Sequence, residues 1–213
     1  MTFHELQYLW RSDLYRYTGN TSTKSYLRYL FLSVGFRFTF WLRLGGYLRN
    51  ARPAAVMRPL HFLSRLVLRH YGYKFGFQIG DRIQLGSGFL IYHFGGIVLN
   101  ERVIIGKNCD IAHDVTIGMG GRGDARGTPI IGDNVFLGPG CKVFGPIRIG
   151  HNVAIGANAV VTKDVPDNAV VAGIPAKIIS YNGASDFIRN TDFEAKFPQP
   201  AGGQPKPAAT PVG

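Results

Sequence analysis

From Phe77 to Asp164 an aliphatic residue followed by a small or turn-forming residue returns at every sixth position. The anchors are Ile79, Leu85 and Ile91, then Leu99, Ile105, Ile111 and Ile117, then Ile131, Leu137, Val143, Ile149, Ile155 and Val161. Two residues ahead of most anchors stands a second small or branched apolar residue, as at Ile83, Val103, Cys109, Val115, Val135, Cys141, Ile147 and Val153. A period of six matches neither the 3.6 of a helix nor the two of a half-buried strand. It fits a solenoid in which each unit is one short strand and one corner. The Gly that follows many anchors gives such frequent corners their backbone freedom.

Two interruptions break the rhythm. Ile91 and Leu99 are eight residues apart, so two extra residues fall at His93-Phe94-Gly95-Gly96. Ile117 and Ile131 are fourteen apart, one step plus an eight-residue excursion within residues 118–129. Regular coils supply scaffold, whereas insertions gather on one face and build sites. His93 therefore stands where regularity fails. His113, like His93, follows an anchor by two residues, and the two anchors lie three units apart.

The formal net charge of +11 is unevenly spread. Residues 1–76 hold twelve Lys/Arg against Glu5 and Asp13, a surplus of ten, while residues 77–213 hold twelve against eleven. The basic character thus belongs to the front segment. The two cysteines, Cys109 and Cys141, both occupy inward positions ahead of an anchor. Such sites hold small buried groups, which argues against a disulfide scaffold and is compatible with a reducing compartment. The N-terminus shows no basic stretch followed by an apolar core and a cleavage site.

The front segment reads as helices: Phe3–Tyr17, a second aromatic-rich stretch broken by Arg28, Arg37, Arg43 and Arg49, and a third from about Pro53 to His70. No charge-free apolar run approaches the roughly 18–20 residues of a spanning helix. Arg58, Arg65 and Arg69 share one helical face by their spacing. Two readings stand. The helices pack on the solenoid or on each other with solvated arginines, or they lie at an anionic membrane surface with aromatics in lipid and arginines on headgroups. Nucleic acid is disfavoured for want of any recognisable motif. The open first coil needs a cover, and the preceding helices are the natural one.

The division expected is 1–76 helical, 77–165 solenoid, 166–196 a closing segment with a short helix from about Ala184 to Lys196, and 197–213 a Pro/Gly/Ala-rich disordered tail.

The repeats, with the stretches from Ile91 to Asn100 and from Val170 to Ile179, resemble the hexapeptide-repeat acyltransferases, most closely serine acetyltransferase and its polysaccharide-modifying relatives. The resemblance covers roughly residues 77–180. It implies a mainly β chain, a left-handed parallel β-helix with an N-terminal helical segment, and transfer from acetyl-CoA to a hydroxyl. It implies His93 as general base, in a homotrimer with the donor in the groove between neighbouring solenoids. His113 enters as a second catalytic candidate that orients His93 or lines the acceptor pocket. Gly120, Pro139, Ala157, Thr162, Lys163 and Lys177 match the family's CoA contacts, and no metal is implied. Small residues let a pantetheine arm approach the backbone, while the lysines face phosphates.

The chain departs from serine acetyltransferase at three points. Tyr92 replaces the Asp before the catalytic His, Gly127 and Thr128 replace an Arg-His pair, and Gln78 replaces the Asp that orients the imidazole. These losses point away from a small zwitterionic acceptor. The expectation is a cytoplasmic O-acetyltransferase, peripheral on the inner membrane, acting on a sugar hydroxyl of a capsular or extracellular polysaccharide or its lipid-linked precursor. Tyr92, Arg122 and Thr128, with Asp124 and Arg126, are its acceptor contacts. The alternative is serine or another small-molecule acceptor. A metal-dependent carbonic anhydrase is disfavoured because its His-x4-His spacing is missing, and a non-catalytic scaffold by the presence of His93.

Overall fold

The computed structural model describes residues 1–123 and 126–198. Helices α1 (Phe3–Thr18), α2 (Thr23–Leu32), α3 (Val34–Leu48) and α4 (Ala54–Phe75) come first. Local chemistry marks their ends. Thr2 and Glu5 form a reciprocal capping box on α1, Ser22 and Ser33 cap α2 and α3, and Gly19 and Gly76 close α1 and α4 in the left-handed conformation.

The repeats then wind through three flat faces. Face A carries β1 (Phe77–Ile79), β4 (Ile97–Leu99), β7 (Thr116–Gly118), β10 (Lys142–Phe144) and β13 (Val160–Val161). Face B carries β2 (Gln84–Leu85), β5 (Ile104–Ile105), β8 (Ile130–Ile131) and β11 (Arg148–Ile149). Face C carries β3 (Leu90–Ile91), β6 (Asp110–Ile111), β9 (Phe136–Leu137), β12 (Ala154–Ile155) and β14 (Val170–Ala172), and ends on β15 (Lys177–Ser180). All pairs are parallel except β14 with β15. The chain is thus a parallel β-helix.

Register follows the six-residue pattern. Ile79, Leu99, Ile117, Val143 and Val161 stack on face A, and Ile91, Ile111, Leu137, Ile155 and Val171 on face C. These residues and their partners Val103, Cys109, Val115, Val135, Cys141 and Val153 form one buried core. At the corner from face B to face C, the left-handed position is filled by Gly88, Asn108, Asn134, Asn152 and Asn168 in successive coils. Asn tolerates that conformation better than other side-chain-bearing residues do. Here its amide also bonds the next coil, Asn108 to Asn134 at 3.1 Å and Asn152 to Asn168 at 2.8 Å.

The front helices do cover the first coil. Phe38, Leu42 and Leu68 enter the solenoid core. The exposed backbone edge of β2 and β3 is met by side chains. Arg43 grips both carboxylate oxygens of Asp13 at 3.0 and 3.1 Å and donates to the carbonyls of Leu85 and Gly86. Asp13 accepts from the Phe89 amide and Ser12 from the Gly88 amide. Arg16 reaches Asp110 at 2.5 Å and the carbonyls of Gly88 and Arg189. Both readings of the front segment left its arginines exposed, to water or to headgroups, but Arg16 and Arg43 are buried. Strand-edge carbonyls need donors, and the guanidinium fork supplies several at once.

Helix α4 runs past His70 to Phe75. The C-terminal helix expected from Ala184 shrinks to α5 (Phe193–Lys196). Ala184 and Ile188 instead turn onto face C, with Phe187 stacked on Phe136 at 5.0 Å, and Asn190 in the left-handed region keeps the turn apart from α5. The tail from residue 199 lies outside the described residues. No helix among the described residues is long and apolar enough to cross a membrane.

Candidate active site

The corner from face C to face A repeats once per coil. Because Ile91, Ile111, Leu137 and Ile155 are in register, the residues two steps on form a ridge: His93, His113, Pro139, Ala157. The imidazoles of His93 and His113 meet edge to face, centroids 5.8 Å apart. Beyond them the ridge carries only a proline and an alanine, held by amides of one coil bonding carbonyls of the one before: Gly140 to His113, and Asn158 to Pro139. Two titratable rings at the head of a smooth track suit a base beside a long, thin ligand.

His93 is exposed and His113 half-buried. Among the described residues neither ring has a carboxylate partner; the histidine–carboxylate contacts are His61–Asp81 and His151–Asp133. Tyr92 stands beside His93 with centroids 6.1 Å apart and is itself exposed. Gln78 lies on β1, one coil from the strand that the His93 loop enters, and no hydrogen bond joins it to His93. It lines instead a cavity of about 640 Å³ with Arg65, Arg69, Asn100 and Glu101.

The loop of His93 is held from both sides. Strand β3 bonds β6 on one edge. On the other, the Tyr17 hydroxyl accepts from the Ile91 amide at 3.1 Å and donates to its carbonyl at 2.9 Å. Gly35 on α3 makes room, since a Cβ there would collide with the Ile91 carbonyl and the Tyr17 hydroxyl. Phe94 packs on Phe75 at the end of α4, 5.4 Å between centroids. The next coil ties the loop's far side, the Asp114 amide donating to the Gly95 carbonyl. None of these supports carries a periodic signal; only the departure at residues 93–96 marks the place.

The other expected residues lie elsewhere. Gly120, Thr162 and Lys163 sit at the corner from face A to face B, as does the long loop with Arg122, Arg126 and Thr128. Strand β7 lies between His113 and Gly120. Within one chain face A thus divides His93 from the loop. Thr128 donates to the Arg102 carbonyl at 3.1 Å and, with Met119, Arg126 and Arg102, lines a second cavity of about 270 Å³. Gly120 bonds Gly127 in both directions, which closes the excursion, and Asp124 lies outside the described residues. Lys177 begins β15, exposed at the far end of the stack. Cys109 and Cys141 are buried inside it, their thiols pushed up to about 12 by desolvation, so neither serves as a nucleophile.

Residues 128–163 match the family model for the bacterial transferase hexapeptide (six repeats). Serine acetyltransferase of Synechococcus elongatus is 36% identical over 174 residues, covering 80% of this chain and 68% of the relative. The chain spans 58% to 68% of the length of such curated relatives. Among solved structures, serine acetyltransferase of Brucella abortus with coenzyme A superposes with a TM-score of 0.69 at 28% identity, covering 84% of this chain and 69% of that one. The Neisseria gonorrhoeae enzyme with serine gives 0.66 at 32%, covering 81% and 68%.

These relatives overturn the expectation of a polysaccharide or lipid-linked sugar as acceptor, and with it any capsular or exopolysaccharide role. That reading rested on groups missing at Tyr92, Gly127 and Thr128. Missing contacts say what one mode of recognition lacks, not what replaces it.

Proposed function

Because this chain belongs to the serine acetyltransferase family, hexapeptide-repeat O-acetyltransferases that use acetyl-CoA, we propose that it acetylates serine or another small hydroxylated molecule, with His93 as general base. The observation that carries this reading is the ridge. An exposed imidazole stands on an interrupted coil, beside a second imidazole, at the head of a track of small side chains.

The neutral His93 ring takes the acceptor's hydroxyl proton as the oxygen attacks the thioester carbonyl. The tetrahedral intermediate collapses, the C–S bond breaks, and the coenzyme A thiolate leaves. The imidazolium returns its proton to that sulfur, so the products are the O-acetyl ester and the free thiol. With both thiols buried, transfer is direct and both substrates must be bound together. The pantetheine arm lies along Pro139 and Ala157, His113 flanks the base, and Tyr92 edges the acceptor pocket.

Gly120, Thr162, Lys163, Arg122 and Thr128 complete the site from a neighbouring chain in a homotrimer. What supports this is their placement at a different corner from His93, since a second subunit can bring the two corners face to face. Lys177 would reach the donor's phosphates from the end of the stack.

The test is coenzyme A release from acetyl-CoA with serine and a panel of small hydroxylated molecules. His93→Ala should lower kcat/KM by about 10²–10⁴-fold. An unchanged rate in that variant would remove His93 from the chemistry.

A further inference from the structure

Helix α4 is 22 residues long, yet buries only Ser64 and Leu68. Met57, His61, Ser64, Leu68, Tyr71 and Phe75 recur at helical spacing and form its inward side. The rest of its surface divides into two stripes. Arg58, Arg65 and Arg69 form one on the flank, with Arg65 and Arg69 at the edge of the cavity that Gln78 lines; beside it run Val56, Leu60, Phe62, Leu63 and Leu66, all exposed, Phe62 by 65%. Five large apolar side chains on one uncovered helix form a continuous patch, and such patches mark interaction surfaces. None of the three arginines pairs with an acidic side chain among the described residues.

We propose that α4 docks this protein on an anionic lipid surface, with Phe62, Leu63 and Leu66 in the acyl boundary and Arg58, Arg65 and Arg69 on headgroup phosphates. An apolar arc edged by arginines is the arrangement of a helix lying in the plane of a membrane interface. Charge favours lipid over a second copy of the chain. Residues 1–76 carry twelve basic groups, and their two acids are already engaged, Asp13 by Arg43 and Glu5 in the cap of α1. Two α4 faces brought together would oppose like charges, because the acids nearest the stripe, Asp81 and Glu101, already pair with His61 and Arg82. A phosphate-bearing surface supplies the missing counter-charge. The docking is narrower than the front segment's overall charge indicates, because Arg16 and Arg43 are spent inside the protein.

At the other end of that segment, α2 buries no residue and exposes Phe31 and Leu32 by 72% each. Arg37 links the two helices, donating to the Phe31 carbonyl and lying over the Tyr71 ring of α4.

The experiment is co-sedimentation of the full chain with phosphatidylcholine vesicles, with and without phosphatidylglycerol, across a salt series. Binding should require phosphatidylglycerol and weaken with salt. The triple variant Arg58→Ser, Arg65→Ser, Arg69→Ser should lower the partition coefficient by about two orders of magnitude. Phe62→Ser with Leu66→Ser should lower it at every salt concentration, and the far-ultraviolet circular dichroism of all variants should match wild type. Equal binding to neutral vesicles, or none to either, would overturn the proposal. So would a fall in oligomer mass by light scattering in the Phe62 and Leu66 variant with vesicle binding unmoved, which would make the face a contact between copies.

Discussion

In the coil stack strands bond to strands and the interior is almost wholly aliphatic. At the seam between α1, α3 and the first coil, the strand edge is met by side chains, and two ion pairs are buried. Each coil repeats the last, so a lost contact in one leaves its neighbours' pattern intact. The seam is built once, from Asp13, Arg16, Tyr17 and Arg43, each serving several groups. Redundancy thus characterises the stack and singularity the seam, so equal chemical insults should have unequal consequences.

The largest effect is expected at Arg43. Arg43→Ala leaves the Asp13 carboxylate buried without its partner and strips donors from Leu85 and Gly86, a cost of about 3–5 kcal/mol. Combining Arg43→Met with Asp13→Leu should recover a good part of that loss, because no buried charge remains. Urea unfolding of the two variants measures it. Equal losses in both would mean that the carbonyl contacts, not the charge pairing, hold the seam. Next comes Ile117→Ala, in the middle of face A between Leu99 and Val143, with an expected cost of about 2–4 kcal/mol from lost burial and a cavity. If that substitution exceeded Arg43→Ala, the contrast between stack and seam would fail.

The same contrast governs what the residues reveal when read in order. Every anchor from Ile79 to Val161 was legible, because the period itself states which side chains face inward, and the two departures from it located the His93 loop and the long loop. The stacking of His113 on His93 followed from their three-unit spacing once the resemblance implied three strands per coil. The seam was not legible. Arg43 looks in the sequence like any arginine among aromatics, and nothing near Asp13 or Tyr17 shows that they meet a strand edge more than seventy residues away. Acceptor identity failed because absent groups carry no positive chemistry.

Tyr17→Phe tests the seam where it touches the catalytic loop. The ring stays, but the amide and carbonyl of Ile91 lose their shared partner, at a cost of about 1–3 kcal/mol. Hydrogen exchange at the Ile91 amide should quicken while the amides of β9 keep their protection. Because the His93 loop leaves β3, kcat should also fall several-fold, with KM for acetyl-CoA unchanged if the donor lies on Pro139 and Ala157. Faster exchange throughout the stack would show that the seam and the coils unfold together, and would erase the distinction between them.

The smallest effect is expected at a corner of the stack, and it separates two roles of one residue. Asn134 holds a φ of 56° and accepts the amide of Asn108. Asn134→Gly keeps the backbone relaxed and loses only the side-chain bond, about 1 kcal/mol. Asn134→Ala loses the bond and also forces a Cβ-bearing residue without local polar compensation into the left-handed region, for about 1 kcal/mol more. The ordering of the two thermal midpoints, glycine above alanine, is the readout. Gly88 already fills the equivalent position in the first coil, where a Cβ would lie 2.5 Å from the Asn108 side chain. The stack therefore uses Gly and Asn interchangeably for conformation but not for the ladder. If alanine matched glycine, the left-handed corner would contribute nothing beyond the bond. The redundancy ascribed to the coils would then rest on their aliphatic core alone.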